Sequence, residues 1–184
     1  MSHYIAGKIS LARNCPTPPH AKNGGKYLRG RKRQGVVFEQ KVSAHLAFSH
    51  FTNRWFEFWD GSGHHYCSPD VIFGWEGTLW VLECKYTLVE EGFSQVESLY
   101  RPVLEATYQR PVVGIQVCRA VAPAGGFRPV PWIAASLAEA MRIRLGGGAR
   151  AAWHWPTDTI VGTQLPGPSS GHIDSARAIR QAAE

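Results

Sequence analysis

The sequence lacks the closely spaced cysteine pairs that structural zinc sites and disulfide frameworks use. Its four cysteines (Cys15, Cys67, Cys84 and Cys118) are scattered through 184 residues. This spacing is typical of neither a zinc site nor a disulfide-stapled fold. Reduced thiols are common in the cytosol. We therefore expect a cytoplasmic protein. That its cell is a bacterial, archaeal or viral host cell is a separate expectation.

Long apolar runs are also missing from the sequence. No stretch approaches the ~20 apolar residues that cross a bilayer. The first residues, MSHYIAGKISLARNC, have polar side chains where a signal peptide has its apolar stretch. We expect no membrane partner. A length of 184 residues with 44% hydrophobic residues instead suits one domain with a genuine core.

Acidic residues are outnumbered in this chain. Fourteen Asp and Glu stand against 20 Lys and Arg, which gives a formal net charge of +6. A basic balance favours polyanionic partners, above all nucleic acid. Six cations come just before the first predicted helix, either as a DNA-binding arm or as a solvated, flexible one: Lys22, Lys26, Arg29, Arg31, Lys32 and Arg33.

The apolar periodicity predicts an alternation of helices and strands. Helices are predicted over 33–50, over 93–107 with a kink or break at Pro102, and over 134–145. Strands are predicted over 54–59, 70–75, 78–86 and 111–119, with a weakly packed one near 153–155. Residues 60–69 are predicted to be a loop, and Glu76-Gly77 a tight turn. This order predicts an α/β layer arrangement with one mixed sheet between helices.

Two acidic residues and a lysine are placed to meet at one edge of the predicted sheet. Asp70 begins one strand, while Glu83 and Lys85 lie two residues apart on the next strand and share a face. They interrupt an apolar strand, and a buried carboxylate needs a cation, a metal or several donors. Oxygen ligands from Asp70, Glu83 and the main-chain carbonyl of Cys84 suit Mg²⁺ or Mn²⁺. The alternative is an exposed ion pair between Glu83 and Lys85.

These residues also carry a family resemblance. Pro69-Asp70, twelve intervening residues and Glu83-Cys84-Lys85 resemble the PD-(D/E)XK nuclease motif. The stretch GRKRQGVVFEQKV, with Glu39, is similar to the first helix of archaeal-type Holliday junction resolvases. Gly61-Ser62-Gly63 resembles the Gly-Ser-Gly segment of those enzymes, and Gln95 takes the place of a glutamine that opens their next helix. The resemblance covers about residues 29 to 120 in consistent order.

The resemblance implies a restriction-endonuclease-like core, with a central mixed β-sheet flanked by helices, and a Mg²⁺-dependent endodeoxyribonuclease. Asp70 and Glu83 would be metal ligands, and Glu39 would reach the metal directly or through water. Lys85 would orient or deprotonate the attacking water, or stabilise charge on the phosphate. Ser62 would donate a hydrogen bond to a phosphate, with plain turn chemistry as the alternative. Gln95 would hold the lysine or touch a phosphate, unless it is a solvated helix residue.

DNA contacts are assigned to cations and to two histidines. Arg29, Arg31, Lys32 and Arg33 would neutralise phosphates that flank the cut, which makes binding salt-dependent. His64 and His65 are either flexible surface residues or DNA contacts. Residues 1–28 are then a basic, partly disordered arm, residues 29–150 the nuclease domain, and residues 151–184 an irregular C-terminal extension.

The leading hypothesis is a homodimeric Holliday junction resolvase that acts on branched DNA in recombination and repair. A two-fold protein suits a two-fold substrate. Another nuclease on the same scaffold (nicking, restriction-like or exonucleolytic) is the alternative among enzymes. Gln95 followed by Tyr100 is similar, with looser spacing, to the glutamine-tyrosine helix of recombination exonucleases. A non-catalytic DNA-binding module is the alternative from a different class.

Overall fold

The computed structural model describes residues 8–21, 30–121 and 132–155. Four α-helices lie in these ranges: α1 (Arg31–His45), α2 (Glu90–Gln95), α3 (Arg101–Tyr108) and α4 (Leu137–Leu145). A 3₁₀ turn covers Pro19–Ala21, and a π-helical turn, Val96–Tyr100, joins α2 to α3. The strands are β1 (Leu11–Cys15), β2 (Trp55–Asp60), β3 (Gly63–Cys67), β4 (Val71–Trp75), β5 (Thr78–Thr87), β6 (Val112–Ala120), β7 (Ile133–Ala134) and β8 (Ala152–His154).

The strands of the described ranges form two sheets. The larger sheet has the order β4-β5-β6-β8-β7, with β4 antiparallel to β5 and the other pairs parallel. The smaller sheet is an antiparallel meander in which β2 lies between β1 and β3. A single bridge from Phe51 to Ile72 ties the segment before β2 to the edge strand β4. The α/β class with a mixed sheet is therefore confirmed, and the second sheet is an addition to it.

Helices cover both faces of the five-stranded sheet. Side chains alternate between faces along a strand, so even and odd positions of β5 enter different cores. Phe38 and Val42 of α1 and Met141 of α4 pack on one face with Trp80 and Leu82. Val96, Leu99, Val103 and Leu104 of the π-helical turn and α3 pack on the other face with Leu79 and Val81. Each fully buried side chain of this size contributes roughly 1.5–3 kcal/mol.

The β4–β5 hairpin sets the register that positions the polar residues. Glu76 and Gly77 both have positive φ, at 48° and 75°. Such a two-residue turn has the twist that a tight antiparallel hairpin requires. Val71 then lies opposite Leu82. Asp70, one residue before Val71, consequently lies beside Glu83 near the end of β5, as the hairpin spacing predicts.

Several predicted boundaries are wrong. Residues 60–69 are not a plain loop, because 63–67 pair with β2 as strand β3, and β1 forms where irregular chain was expected. The first helix ends at His45 rather than near residue 50, since Leu46 already has extended backbone angles. Strand β8 is not weakly packed: it lies between β6 and β7, and Trp153 is 2% exposed.

The helix around Pro102 continues from Glu90 to Tyr108 with a change of hydrogen bonding instead of an end. Pro102 cannot donate to the carbonyl of Ser98, and its ring would crowd that carbonyl in a regular helix. The π-helical turn directly before it widens the chain at this point. The predicted break is therefore absent, and the irregularity near Pro102 takes the form of this π-helical turn. None of the helices in the described ranges combines the length and apolar character that crossing a membrane requires.

Candidate active site

Strand β5 places Glu83 and Lys85 on the same face of the larger sheet. Lys85 Nζ lies 2.7 Å from Glu83 Oε1, and Glu83 is 2% exposed. The ion pair of the alternative interpretation therefore exists, but its carboxylate is buried and not exposed. The second oxygen, Glu83 Oε2, has no hydrogen bond of ordinary geometry in the described part of the chain, although the Tyr100 hydroxyl lies near enough to the Glu83 carboxylate to lower the pKa of Glu83. A buried carboxylate oxygen without a donor is costly, so this atom is available to a cation.

Asp70 is anchored to the main chain between those two residues. Its Oδ2 accepts the backbone N–H of Cys84 at 2.7 Å. This bond holds the carboxyl group of Asp70 beside the end of β5 and brings the three predicted residues together. The Cys84 thiol belongs to the core on the opposite face, and burial, followed by the charge of Asp70, raises its pKa well above the usual range. The thiol is thus no candidate ligand, while the part of the Cys84 carbonyl in metal binding stays a prediction.

Glu39 reaches the same region from α1. It lines a cavity of about 330 Å³ together with Asp70, between α1 and the segments 52–53 and 68–70. Burial raises the pKa of Glu39, and the charge of Lys85 opposes that rise. The charge of Glu39 in turn contributes to raising the pKa of Asp70 and of Glu83. Three carboxyl groups and one amine therefore act as one electrostatic cluster.

The carboxyl groups of this cluster hold protons more firmly than exposed ones. Burial first, then the charges of Glu83 and Glu39, raises the pKa of Asp70 well above its ordinary value. Burial also raises the pKa of Glu83, although Lys85 lowers it in part. Burial by itself would lower the pKa of Lys85, but the neighbouring Glu83 raises it overall. The set has more negative charge than its single amine can balance, which suits a divalent cation.

The α2 region holds the lysine in place. Lys85 Nζ donates to Gln95 Oε1 at 3.0 Å. Gln95 Nε2 contacts the hydroxyl of Tyr100, which donates to the Ser68 carbonyl at 3.4 Å. Of the roles predicted for Gln95, the contact with the lysine is therefore present. Tyr100 is a buried member of the cluster that sequence reasoning placed only in a loose glutamine-tyrosine pattern.

The histidines and Ser62 lie elsewhere, on the β2–β3 hairpin. Ser62 donates from its N–H and its hydroxyl to Asp60 Oδ1, each at 2.8 Å, and its hydroxyl is 2.8 Å from His65 Nε2. His64 stacks on Trp59 and pairs with Glu57. Strand β3, five residues at about 3.3 Å each, separates Ser62 from the segment that leads to Asp70. Ser62 therefore makes the turn contacts of the alternative interpretation and does not join the carboxylate cluster, while its hydrogen bond to a phosphate stays a prediction.

The predicted basic residues begin α1. Arg31 is its first residue, Lys32 and Arg33 are exposed, and Arg29 is outside the described residues. Cations are unfavourable at a helix N-terminus, and the first turn of α1 has no acidic side chain that would balance them. Arg33, together with Lys41 and Arg119, also lines a cavity of about 430 Å³. Sequence reasoning missed the last two, but the eight-residue spacing of Arg33 and Lys41 places them on one side of the helix.

The ligands available here suit a Mg²⁺ ion that is held partly by water and substrate oxygens, and not a metal ion held by protein side chains alone. In residues 8–21, 30–121 and 132–155, no group of three or more His, Cys, Asp or Glu side chains is arranged to hold a metal ion. Mg²⁺ is commonly bound through one or two carboxylates while it keeps several waters and takes phosphate oxygens of the substrate. Asp70 and Glu83, with the unpartnered Glu83 Oε2, meet that smaller requirement.

Comparisons of this chain with protein-family models, with curated proteins and with solved structures found no match. The carboxylate cluster, through its geometry and chemistry, is therefore the feature of this chain that bears on its function.

Proposed function

We propose that this chain is a Mg²⁺-dependent endodeoxyribonuclease of the PD-(D/E)XK type, with Mn²⁺ as a substitute and a restriction-endonuclease-like core. One observation carries the proposal. The Asp70 carboxyl group is bonded to the main chain between Glu83 and Lys85, where Glu83 keeps a buried oxygen without a donor. A structural ion pair explains Lys85 and one oxygen of Glu83, but it explains neither the free oxygen nor the second and third carboxyl groups.

Asp70 and Glu83 are the residues that would hold the cation, and Glu39, which lines the same cavity as Asp70, would contribute directly or through water. When bound, a divalent cation polarises a scissile phosphate and lowers the pKa of an attacking water. Without a bound cation, burial lowers the pKa of Lys85 and the neighbouring Glu83 raises it overall. Lys85 would orient or deprotonate the attacking water, or stabilise charge on a phosphate oxygen. Gln95 holds the amine in a fixed direction from α2.

The basic residues of α1 supply binding energy for DNA. Lys32 and Arg33 lie at the start of the helix that carries Glu39, so phosphates on either side of the cut can meet cations and carboxylates of one element. Phosphate contacts of this kind are sequence-independent and weaken with salt. Branched DNA, and a four-way junction in particular, is the substrate we propose, with a homodimer whose protomers each cut one strand.

The test uses a synthetic four-way junction and a linear duplex of matched sequence, each with Mg²⁺. The wild-type chain should cut the junction in preference to the duplex, and Asp70→Asn should abolish cutting of both. The matched control is Glu57→Gln, which changes a carboxylate on the hairpin instead. Equal cutting of both substrates would remove the junction preference and leave the nuclease. Unchanged cutting by Asp70→Asn would overturn the assigned site.

An exonuclease is the second candidate, and the contact of Gln95 with both Lys85 and Tyr100 favours it. The discriminating measurement is a four-way junction whose ends are all blocked against the same junction with free ends. The proposed endonuclease cuts both, whereas an exonuclease digests only the junction with free ends. Protection of the junction with blocked ends would decide for the exonuclease.

A further inference from the structure

A second buried polar side chain lies beside Glu83 on the neighbouring strand. Gln116 of β6 is 0% exposed, and neither its Oε1 nor its Nε2 has a partner among the described residues. Each buried polar group left without a hydrogen bond destabilises a fold by roughly 1–3 kcal/mol. A leucine or methionine would fill the same space without that penalty. The packing of β6 therefore gives no reason for an amide at this position.

The register places this amide next to the unpartnered oxygen. Strands β5 and β6 are parallel, and Glu83 pairs with Gln116. Paired residues of adjacent strands point to the same face, with backbones about 4.8 Å apart. Glu83 Oε2 has no hydrogen bond of ordinary geometry, although the Tyr100 hydroxyl lies near the carboxylate, and Gln116 Nε2 is a donor without an acceptor among the described residues. Each side chain offers what the other lacks.

Helix α2 closes this pair from above through Gly92. A Cβ atom at Gly92 would lie 2.2 Å from Gln116 Nε2 and 3.2 Å from Lys85 Cγ. Glycine in a helix interior is less favourable than alanine by about 1 kcal/mol. Position 92 nevertheless needs a glycine, because a Cβ atom would collide with Gln116, and not because of its backbone angles. The helix thus lies directly on the amide and on the stem of Lys85, so Gln116 is enclosed between the sheet and the helix that also carries Gln95.

We propose that Gln116 is a positioning residue for Glu83, which rests on the proposed metal-dependent function. Its Nε2 donates to Glu83 Oε2 after a side-chain rotation, or through one water enclosed between them. The carboxylate is then held with Oε1 on Lys85, and Oε2 keeps a second lone pair for the cation. Hydrogen-bond partners of this kind orient metal ligands and commonly change metal affinity 10–100-fold.

The test is Gln116→Met, which keeps the length of the side chain and removes its polar atoms. Thermal unfolding of the metal-free protein should be unchanged or shifted upward, because unpartnered polar groups are removed from the core. Calorimetric titration with Mn²⁺ should show affinity about 10-fold or more below wild type. The control is Cys118→Val on the same face of β6, which should leave the affinity unchanged.

The outcomes separate three cases. A folded Gln116→Met protein with wild-type Mn²⁺ affinity overturns the role of Gln116. A Gln116→Met protein that does not fold, or that unfolds at a lower temperature without losing Mn²⁺ affinity, overturns that role as well. If both unfolding temperature and affinity fall, Gln116→Asn decides: recovery of affinity supports positioning, and no recovery refutes it. A wild-type chain that binds neither Mn²⁺ nor Mg²⁺ and cuts no DNA refutes the proposed function itself, independently of the variant.

Discussion

The carboxylates of two polar clusters in this molecule differ in their hydrogen bonding and in the direction of their pKa shifts. On the β2–β3 hairpin, Asp60 accepts two hydrogen bonds from Ser62, and Glu57 pairs with Arg13 and His64. The hydrogen bond from Arg13 leads the causes that lower the pKa of Glu57. At the end of β5, burial raises the pKa of both Asp70 and Glu83, and one oxygen of Glu83 has no donor.

The difference separates a cluster that the fold completes from one that the fold leaves incomplete. Hydrogen-bonded carboxylates stabilise the hairpin without any ligand, and nothing in their surroundings calls for one. Buried, mutually repelling carboxylates destabilise the chain that carries them, a compromise typical of functional sites. Four predictions test this contrast, from the largest expected effect to the smallest.

Glu83→Gln should reduce Mg²⁺-dependent DNA cleavage by a factor of about 10³ or more. A bound cation contributes several kcal/mol to transition-state stabilisation, and about 4 kcal/mol corresponds to a factor of roughly 10³ in rate. The measurement is the single-turnover rate on a four-way junction. Glu57→Gln is the hairpin counterpart and should cut at the wild-type rate. Equal losses in the two variants would erase the contrast between the clusters.

Gln95→Leu should slow cleavage by about 10–100-fold, the range typical of partners that orient a reacting group. Lys85 loses the acceptor that lies 3.0 Å from its Nζ, but it keeps its ion pair with Glu83. Single-turnover rates over a range of DNA concentrations measure the effect. The loss should lie in the rate at saturating DNA and not in DNA affinity. A loss confined to affinity would assign Gln95 to phosphate contact.

Asp70→Asn should stabilise the metal-free protein by roughly 1–2 kcal/mol near neutral pH, within the usual range for single substitutions. The pKa of Asp70 is raised in the folded protein. The contribution of Asp70 to folding stability is therefore fully present below the ordinary carboxyl pKa, and it is lost as the pH rises through the pKa of the folded state. Asparagine does not titrate. The advantage of the variant in chelator-treated thermal melts should therefore grow with pH, and an advantage independent of pH would contradict this account.

Ser62→Ala should leave cleavage within about two-fold of wild type, in line with ordinary surface substitutions. The hydroxyl contacts Asp60 and His65 and not the carboxylate cluster. The measurement is again the single-turnover rate on the junction. A large loss would restore Ser62 to the site that the Gly-Ser-Gly resemblance assigned to it, and would show that the hairpin moves when DNA binds.

The part of the site that could be predicted depends on residue spacing within one hairpin and the helix that follows it. A two-residue turn and a period of two residues per strand are enough to bring Asp70 beside Glu83 and Lys85. Gln95 follows on the next helix along the chain. Gln116 escaped notice because a polar residue inside an apolar strand shows its meaning only when the register of β5 and β6 is known.

The missed parts of the fold depend on contacts between distant residues. Strand β1 pairs with residues forty or more positions away, as Leu11 does with Trp59. Strand β8 enters between β6 and β7, an order that neither composition nor periodicity contains. Gly61-Ser62-Gly63 has the composition of a loop, yet β2 offers an open edge with which the following residues pair.

The most direct test of the carboxylate cluster is a titration of the wild-type chain with Mn²⁺, followed by electron paramagnetic resonance and repeated with Asp70→Asn and Glu57→Gln. We predict saturable Mn²⁺ binding in the wild type and in Glu57→Gln, and its loss in a folded Asp70→Asn. Equal Mn²⁺ binding by all three proteins, or by none of them, would contradict this prediction.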